Sequence, residues 1–412
     1  MRKSMNVSNL ACLVLLALAL GSCKKEQTES TATGSLVTRI VFEGSAGTRA
    51  ATSTAIPETK WDNIKQIQLF LYEEATGLIK FSDVFTPPTS GGTSYTKTWS
   101  MIPEGNYQLV LVANANSASD AIQTTISGVT APLAWTGMNV RNFAADALGI
   151  HYQPLAGGFP SNINTALPPS HTLKPYVAPS EIFMAYSPSA VKIESGKKTT
   201  LSGALNLKRD VSLMRLRLRT NDKSKGFDNT QVDFAHADAS ILIYTLPNKI
   251  GIHKENGGVS NTSDEKAVLV AAHGASTFLN SDPSSGYDPK VIISGDFSLW
   301  RDIVVFPNDG GRKSGATQSP AQRYYVVVTG RAPAGHVLSD QTKVPTGGAL
   351  VAWAGLVEDY FSPNLIRELN LTLSSGGSLT IPSTPTKEGG LEIEISAPLP
   401  WDTNLTNTDM EL

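Results

Sequence analysis

Short stretches in which apolar and polar residues alternate recur along the chain, and they constrain its fold more than any other feature of the sequence. In Val211–Arg219, Met214, Leu216 and Leu218 alternate with three arginines, which is the two-residue period of a β-strand. Clusters of glycine, proline, asparagine and aspartate separate such stretches, and helical periodicity is weak. The pattern predicts an all-β chain built of antiparallel sandwiches. The other predicted strands are Leu36–Glu43, Ile64–Tyr72, Tyr107–Ala113, Ile241–Tyr244, Val291–Ser294, Tyr324–Thr329 and Leu369–Leu373.

The length of the chain leaves room for two such units. A chain of 412 residues fits two domains of roughly 150–200 residues each. The polar, glycine-bearing stretch Glu194–Leu205 predicts a boundary near residue 205. We therefore expect an N-terminal domain at 36–205, a C-terminal domain at 206–377, and a C-terminal strand and tail at 378–412. The net charge of −2 gives no electrostatic case for a nucleic-acid partner.

The first residues carry the pattern of an export signal. A basic start is followed by the apolar run Leu10–Leu20, whose 11 residues are too few to span a bilayer. The tetrapeptide that ends at Cys23 resembles a bacterial lipobox, which predicts a signal peptide at 1–22 and diacylation of Cys23, with palmitate among the acyl chains. Residues 23–35 are then a flexible tether to the outer membrane. An ordinary secretory signal is the alternative.

The usual signatures of catalysis and of metal binding are missing from the sequence. The six histidines never stand at His-x-His or His-x-x-x-His spacing, and no Gly-x-Ser-x-Gly or Gly-x-Gly-x-x-Gly motif occurs. We expect no enzyme, no catalytic residue, no cofactor and no metal ion, with a secreted hydrolase of unrecognised type as a minor alternative. We interpret the face of Arg215, Arg217 and Arg219 as the solvated side of a strand, rather than as a site for an anionic partner.

A second alternating stretch lies close to the C-terminus. Leu391, Ile393, Ile395 and Ala397 share one face, and the polar residues between them share the other. Prolines and glycines flank the stretch on both sides and set it apart from the preceding strand. Such a strand either completes its own sheet or pairs with the sheet of another chain, and the pattern favours neither.

The N-terminal strand has the same period and is followed by a loop of small residues that contains one arginine. Leu36, Ile40 and Phe42 lie on one face of this strand, and the loop around Arg49 is the kind of exposed segment that proteases cut. A cut between Arg49 and Ala50 would free the strand and leave a groove with an uncovered core. A strand donated by a neighbouring subunit would fill such a groove.

Several short blocks, in this order, resemble the FimA-type fimbrillins of Bacteroidales, which are type V pilins. The resemblance implies two tandem transthyretin-like β-sandwich domains, export as a lipoprotein, cleavage after an arginine by an Arg-specific protease, and polymerisation by donor-strand exchange. It assigns the cleavage to Arg49 and the donor to 378–401, and Arg39 is a poor alternative because it lies within a strand. The blocks are the lipobox at Cys23, Thr48-Arg49-Ala50, Ile64–Tyr72, Pro103–Tyr107 running into Leu109–Asn114, Leu207–Val211, Ile366–Leu373 and a terminal strand that ends at Trp401.

The resemblance implies a structural subunit of an extracellular fimbria that serves adhesion. Its partners would be further copies of the chain or other fimbrial subunits, the Arg-specific protease and, before cleavage, the lipid of the outer membrane. A shaft subunit is favoured over a tip or anchor subunit, because both an arginine site and a terminal strand are present. A monomeric surface lipoprotein that binds glycans through Tyr95, Trp99 or Trp135 is the competing hypothesis.

Overall fold

The structure, a computed structural model, consists mainly of β-strands. It describes 32–42, 66–87, 94–114, 122–126, 129–132, 149–179, 181–219, 226–244, 249–252, 259–260, 266–280, 299–308, 323–383 and 389–400. These residues contain 25 strands and one helix, α1 (Ser161–Ala166). The all-β fold predicted from the alternating pattern is confirmed. Among the described residues no helix is long and apolar enough to cross a membrane.

The strands are numbered in chain order. The first thirteen are β1 (Thr33–Phe42), β2 (Gln66–Glu73), β3 (Ile79–Phe85), β4 (Ser94–Pro103), β5 (Gly105–Asn114), β6 (Ile122–Ile126), β7 (Val129–Pro132), β8 (Gly149–Tyr152), β9 (Leu173–Val177), β10 (Ile182–Tyr186), β11 (Val191–Ile193), β12 (Lys198–Thr200) and β13 (Leu205–Arg209). The other twelve are β14 (Ser212–Arg219), β15 (Ser240–Tyr244), β16 (Lys249–Gly251), β17 (Val259–Ser260), β18 (Lys266–His273), β19 (Leu279–Asn280), β20 (Leu299–Val305), β21 (Tyr324–Ala332), β22 (Ala349–Val357), β23 (Leu365–Leu373), β24 (Leu391–Ile395) and β25 (Leu399–Pro400). Every strand predicted from the sequence has a counterpart here except Val291–Ser294, which lies outside the described residues.

Four sheets organise these strands. The first has nine strands in the order β12-β1-β13-β10-β5-β2-β3, with β4 paired to β1 and β11 paired to β5. A six-stranded sheet runs β19-β20-β14-β23-β24, with β25 paired to β23. The two five-stranded sheets run β22-β21-β15-β18-β9 and β17-β16-β8-β6-β7. Each sheet combines strands that are distant along the chain.

Three of the four sheets include residues from both sides of residue 205, because β13 of the first sheet spans Leu205–Arg209. β9 runs parallel to β18, with Tyr176 opposite Leu269, and β8 runs antiparallel to β16, with Ile150 opposite Ile250. The strand pairing therefore crosses the point at which the sequence suggested a boundary. The division into domains at 36–205 and 206–377 stays a prediction.

A separate hydrophobic cluster holds the first sheet together. It contains Leu36 and Ile40 of β1, and the alternate residues Ile67, Leu69 and Leu71 of β2. These are the residues that the sequence pattern assigned to one face of each strand. The opposite face of β2 joins a larger cluster, which also takes in the six-stranded sheet. β2 is therefore covered on both faces.

The arginine face of β14 corrects the expectation from sequence. Arg215 and Arg217 are each only 1% exposed, so the interpretation of this face as a solvated one is wrong for both. Arg215 donates from Nε and Nη2 to the carboxylate of Asp302 over 2.7 and 2.9 Å. Arg217 lies 3.4 Å from Oε1 of the buried Glu368. Carboxylates on the two neighbouring strands thus compensate the charges of the arginines and allow this face to be covered.

The environment of this network changes the pKa of its buried acid, Glu368. Burial raises the pKa of Glu368, while the charges of Arg215 and Arg217 act in the opposite direction. Glu368 stands directly opposite Arg215 across the parallel pair β14–β23. Asp302 stands opposite the same arginine across the antiparallel pair β14–β20. The backbone position of Arg215 therefore lies between those of two acidic residues.

Candidate functional site

The strand β1 lies inside the first sheet and is paired on both sides. It runs antiparallel to β4, with Leu36 opposite Trp99 and Ile40 opposite Tyr95. On its other side it runs parallel to β12 and to β13, where Ile40 stands opposite Leu205. In the described structure β4 joins the sheet through β1. Removal of β1 would therefore open a groove with unpaired backbone groups on both walls.

The face of β1 that points into the core is completely covered. Leu36 and Ile40 have no exposed surface, and Thr38 between them is 1% exposed. The floor beneath them includes Phe85 and Trp99, whose rings meet edge to face with centroids 5.8 Å apart. Burial of each aliphatic side chain contributes about 1.5–3 kcal/mol. Any strand that replaces β1 must supply comparable side chains at the same alternate positions.

Gly34 begins this buried row and has no room for a side chain. A Cβ atom built on it would overlap the carbonyl oxygen of Glu194 and come within 2.9 Å of Cγ2 of Ile193. The amide of Ser35 donates to the carbonyl oxygen of Lys197 over 2.9 Å, so the turn at 194–197 lies directly against the strand. This end of the groove therefore accepts only glycine. The sequence analysis missed it, because a glycine at a strand end looks like an ordinary turn residue.

An ion-pair triad holds the turn that covers the start of β1. The carboxylate of Glu194 accepts hydrogen bonds from Lys192 over 2.8 Å and from Lys197 over 2.7 Å. The hydrogen bond from Lys192, followed by that from Lys197, lowers the pKa of Glu194 to about 2. The turn also donates from the amide of Gly196 to the carbonyl oxygen of Thr33 over 2.8 Å. The charge of Glu194 thus supports backbone contacts of the N-terminal strand.

We expect this triad to contribute to the acid sensitivity of the chain. The pKa of Glu194 is depressed in the folded state, so its contribution is present above the unfolded value of about 4.3 and is lost as the pH falls toward 2. Urea unfolding of the chain and of Glu194→Gln at pH 7 and pH 3 measures this. The substitution should lower stability at pH 7 and have a smaller effect at pH 3. An equal effect at both pH values would contradict the assignment.

Arg39 occupies the middle of β1. It is paired with Thr96 of β4, and its side chain is exposed. A backbone paired within a sheet is a poor protease substrate, because cleavage requires local opening. The other predicted residues of this region, Cys23, Arg49 and Ala50, together with the side chain of Phe42, lie outside the described residues.

The terminal strand β24 is the outermost strand of the six-stranded sheet. It runs antiparallel to β23, with Leu391 opposite Leu373 and Ile395 opposite Leu369. Leu391 is buried, while Ile393 and Ile395 are half-buried and pack against the large core cluster. The shared apolar face predicted for Leu391, Ile393, Ile395 and Ala397 is therefore observed for the first three. Ala397 is exposed and lies two residues beyond the end of the strand.

Two further contacts hold β24 on its own subunit. The amide of Ala354 in β22 donates to the carbonyl oxygen of Gly389 over 2.8 Å. At the other end, Arg367 donates from Nη1 to the carbonyl oxygen of Ser396 over 3.0 Å, and from Nη2 to Asp359 over 3.1 Å. The structure thus brings β24 to β22 and β23 of the same chain, and it does not bring β24 to β1.

Comparisons with known proteins return matches among solved structures alone. No protein-family model and no curated protein sequence matches the chain. The fimbrilin FimA from Porphyromonas gingivalis W83 matches with 12% identity and a TM-score of 0.47, over 89% of this chain and 98% of that chain. A putative cell adhesion protein from Bacteroides eggerthii DSM 20697 matches with 14% identity and a TM-score of 0.44, over 90% of this chain and 96% of that one. The tip fimbrial protein Mfa3 from P. gingivalis, with a C-terminal truncation, matches with 11% identity and a TM-score of 0.37, over 90% of this chain and all of that one. Fimbrial proteins, the class that the sequence blocks resemble, are among the solved structures that this chain matches over most of its length.

The aromatic residues considered for glycan binding do not form an exposed platform in the described structure. Trp99 is 3% exposed and belongs to the core cluster, and its Nε1 donates to Asp83 over 2.8 Å. Tyr95 is half-buried and packs against the same cluster. Trp135 lies outside the described residues. The described acidic and histidine residues form no group suited to hold a metal ion.

Proposed function

We propose that this chain is a structural subunit of a cell-surface fimbria, which is cut after Arg49 and joined to its neighbours by exchange of a strand. The observation that carries the proposal is the position of β1, an internal strand with a completely buried row of side chains. β1 ends at Phe42 and β2 begins at Gln66, so a cut between Arg49 and Ala50 falls in the connection between the two strands.

The cut supplies the driving force for assembly. As long as the chain is intact, β1 fills its own groove. After the cut it is held only by non-covalent contacts, and its departure uncovers Trp99 together with the backbone groups of β4, β12 and β13. A strand from another copy restores both the ladders and the buried apolar surface. Three aliphatic side chains of such a strand contribute roughly 5–8 kcal/mol of gross burial.

The donor in this proposal is β24, with Leu391, Ile393 and Ile395 as the buried side chains. Support comes from its alternation, with exposed Glu392 and Glu394 between the apolar residues, and from its outermost position in its sheet. Residue 397 would follow as the next core-facing position. The strand has to leave β23 before it can enter another subunit.

The rest of the proposal follows the resemblance stated above. The chain is exported as a lipoprotein anchored in the outer membrane through Cys23, with 23–35 as the tether. An Arg-specific protease releases the subunit into an extracellular shaft that serves adhesion. The two tandem transthyretin-like domains and the homo-polymeric partner belong to the same proposal.

A reversible lock on β24 tests the proposal. Thr372 and Glu392 stand opposite each other across β23 and β24, at a separation suited to a disulfide. A chain that begins at Lys24 has no other cysteine, since Cys12 and Cys23 are the only two in the sequence. The variant with Thr372→Cys and Glu392→Cys is oxidised, cut with an Arg-specific protease, and followed by intact mass, size exclusion and SDS gels.

We expect the oxidised variant to be cut between Arg49 and Ala50 and to remain monomeric. Reduction should then release β24 and produce high-mass, SDS-resistant ladders. The single variant Thr372→Cys, kept reduced, is the matched control and should assemble like the unmodified chain. Assembly of the locked variant would contradict donation by β24. A stable cut monomer under all conditions would contradict strand exchange and would favour the monomeric glycan-binding lipoprotein.

A further inference from the structure

We propose that the donated strand enters the groove in one register and one direction, which are set by the space at Gly34. This inference rests on the proposed function and specifies the partner segment. The donor is residues 389–397 of a second copy, running in the same direction as β1. The replacements at the core-facing positions are Gly389 for Gly34, Leu391 for Leu36, Ile393 for Thr38 and Ile395 for Ile40.

The first condition on the register is steric. The position of Gly34 cannot hold a Cβ atom, because the carbonyl oxygen of Glu194 and the side chain of Ile193 already occupy that space. The donor must therefore have a glycine two residues before its first buried apolar side chain. Gly389 stands two residues before Leu391 and meets this condition.

The second condition is apolar side chains at alternate positions. The groove has completely buried sites at Leu36 and Ile40, with the buried Thr38 between them. With Gly389 at the position of Gly34, Leu391 takes the position of Leu36 and Ile395 takes that of Ile40. Ile393 replaces Thr38, and both are β-branched residues that suit a strand. The donor thus matches β1 at the glycine, leucine and isoleucine positions and places a larger β-branched side chain at the position of Thr38.

Neighbouring registers fail one of these conditions. A shift by one residue places Gly390 at the steric site and carries Glu392 to the completely buried position of Leu36. A shift by two residues places either Lys387 or Leu391 at the glycine site. A strand in the reverse direction can also keep Leu391, Ile393 and Ile395 at the three buried sites that follow Gly34. It then places Ala397 at the position of Gly34, where the Cβ of alanine does not fit. Burial of an unpaired carboxylate or overlap with backbone costs far more than these registers regain.

The third condition concerns the opposite face of the strand. Arg39 is exposed and Val37 is half-buried, so this face of β1 is open to solvent. In the proposed register Glu394 takes the position of Arg39, and Glu392 takes that of Val37. Both glutamates are also exposed in β24. The donor therefore keeps its charged side chains in water before and after the exchange.

Cysteine pairs between two different copies test the register. Val37 faces Thr98 and Arg39 faces Thr96 across β1 and β4. Glu392→Cys in one chain should therefore form a disulfide with Thr98→Cys in another after both chains are cut. Two variants that begin at Lys24 are cut, mixed and oxidised, and the linked peptides are identified by mass spectrometry. The control pair is Glu392→Cys with Thr96→Cys, which would be linked if the strand were shifted by two residues.

The expected result is efficient cross-linking of 392 with 98, at least tenfold more than of 392 with 96, and none between uncut chains. Multimers that link 392 to 96 would overturn the register and leave the proposed function intact. Multimers in which neither pair is linked would likewise overturn it. If no multimers form at all, the proposed function fails together with the register.

Synthetic peptides test the steric condition separately. A peptide of residues 387–398 is added to the cut chain as a competitor of assembly. Gly389→Ala in the peptide should weaken its competition at least tenfold, because the new methyl group meets Glu194. Gly390→Ala is the matched control and should compete like the unmodified peptide, because position 35 of the groove already holds a serine. Equal competition by the two substituted peptides would overturn the proposal.

Discussion

Replacing Gly34 by alanine is expected to destabilise the uncut chain and to leave the assembled multimer unchanged. In the uncut chain the new methyl group overlaps the carbonyl oxygen of Glu194, which forces β1 or the adjoining turn to move. Overpacking of this kind costs about 1–3 kcal/mol, and contact with backbone belongs at the upper end of that range. After strand exchange β1 is no longer part of the subunit, so the substitution has nothing left to disturb.

Thermal unfolding of uncut and assembled material measures the difference. We expect a lower melting temperature for uncut Gly34→Ala than for the unmodified chain, and equal values for the two assembled samples. Ser35→Ala is the control, because position 35, next to Gly34, already accommodates a side chain. An equal loss of stability in the assembled material would mean that β1 stays in its groove, which contradicts strand exchange.

Replacing Asp302 by alanine is expected to lower the free energy of unfolding as much as Gly34→Ala does, or more. The substitution removes a carboxylate that receives two hydrogen bonds from Arg215, which is 1% exposed. The guanidinium group then stays buried with one carboxylate fewer to compensate its charge. Loss of one partner of a buried ion pair costs about 3–5 kcal/mol, and Glu368 on the other side keeps the expected value near 3 kcal/mol.

A surface ion pair of the same chain provides the matched control. Arg323 and Glu358 lie 3.6 Å apart with side chains 37% and 45% exposed. Exposed pairs contribute about 0–1 kcal/mol, so Glu358→Ala should change the urea midpoint very little. If Asp302→Ala and Glu358→Ala have equal effects, the buried network does not stabilise the six-stranded sheet.

Eight of the described strands could be predicted from the sequence, because the alternation of side chains is a local property. The face of β14 could not, since alternation alone shows two different faces and not which of them is covered. Arg215 is paired with a carboxylate 87 residues away, and Arg217 with one 151 residues away. A row of arginines without visible partners looks solvated until the neighbouring strands are known.

The candidate site divides in the same way. The apolar rows of β1 and β24 are visible in the sequence, because each is a local pattern. The steric condition at Gly34 is not, because the turn that imposes it comes roughly 160 residues later. The hydrogen bonds by which Arg367 holds the end of β24 also depend on folding, because folding brings Asp359 and Ser396 to the same guanidinium group.

The position of β24 has a consequence for the solubility of the chain. In its own subunit β24 pairs with the backbone of β23. The carbonyl oxygen of Gly389, just before β24, accepts a hydrogen bond from the amide of Ala354 in β22. Unpaired strand borders are where sheets of different molecules adhere and aggregate. A truncation before Gly389 would therefore expose backbone groups of two sheets together. If the truncated chain were insoluble, the cause would be the exposed backbone of β22 and β23. Such a truncation would therefore be a poor probe of assembly.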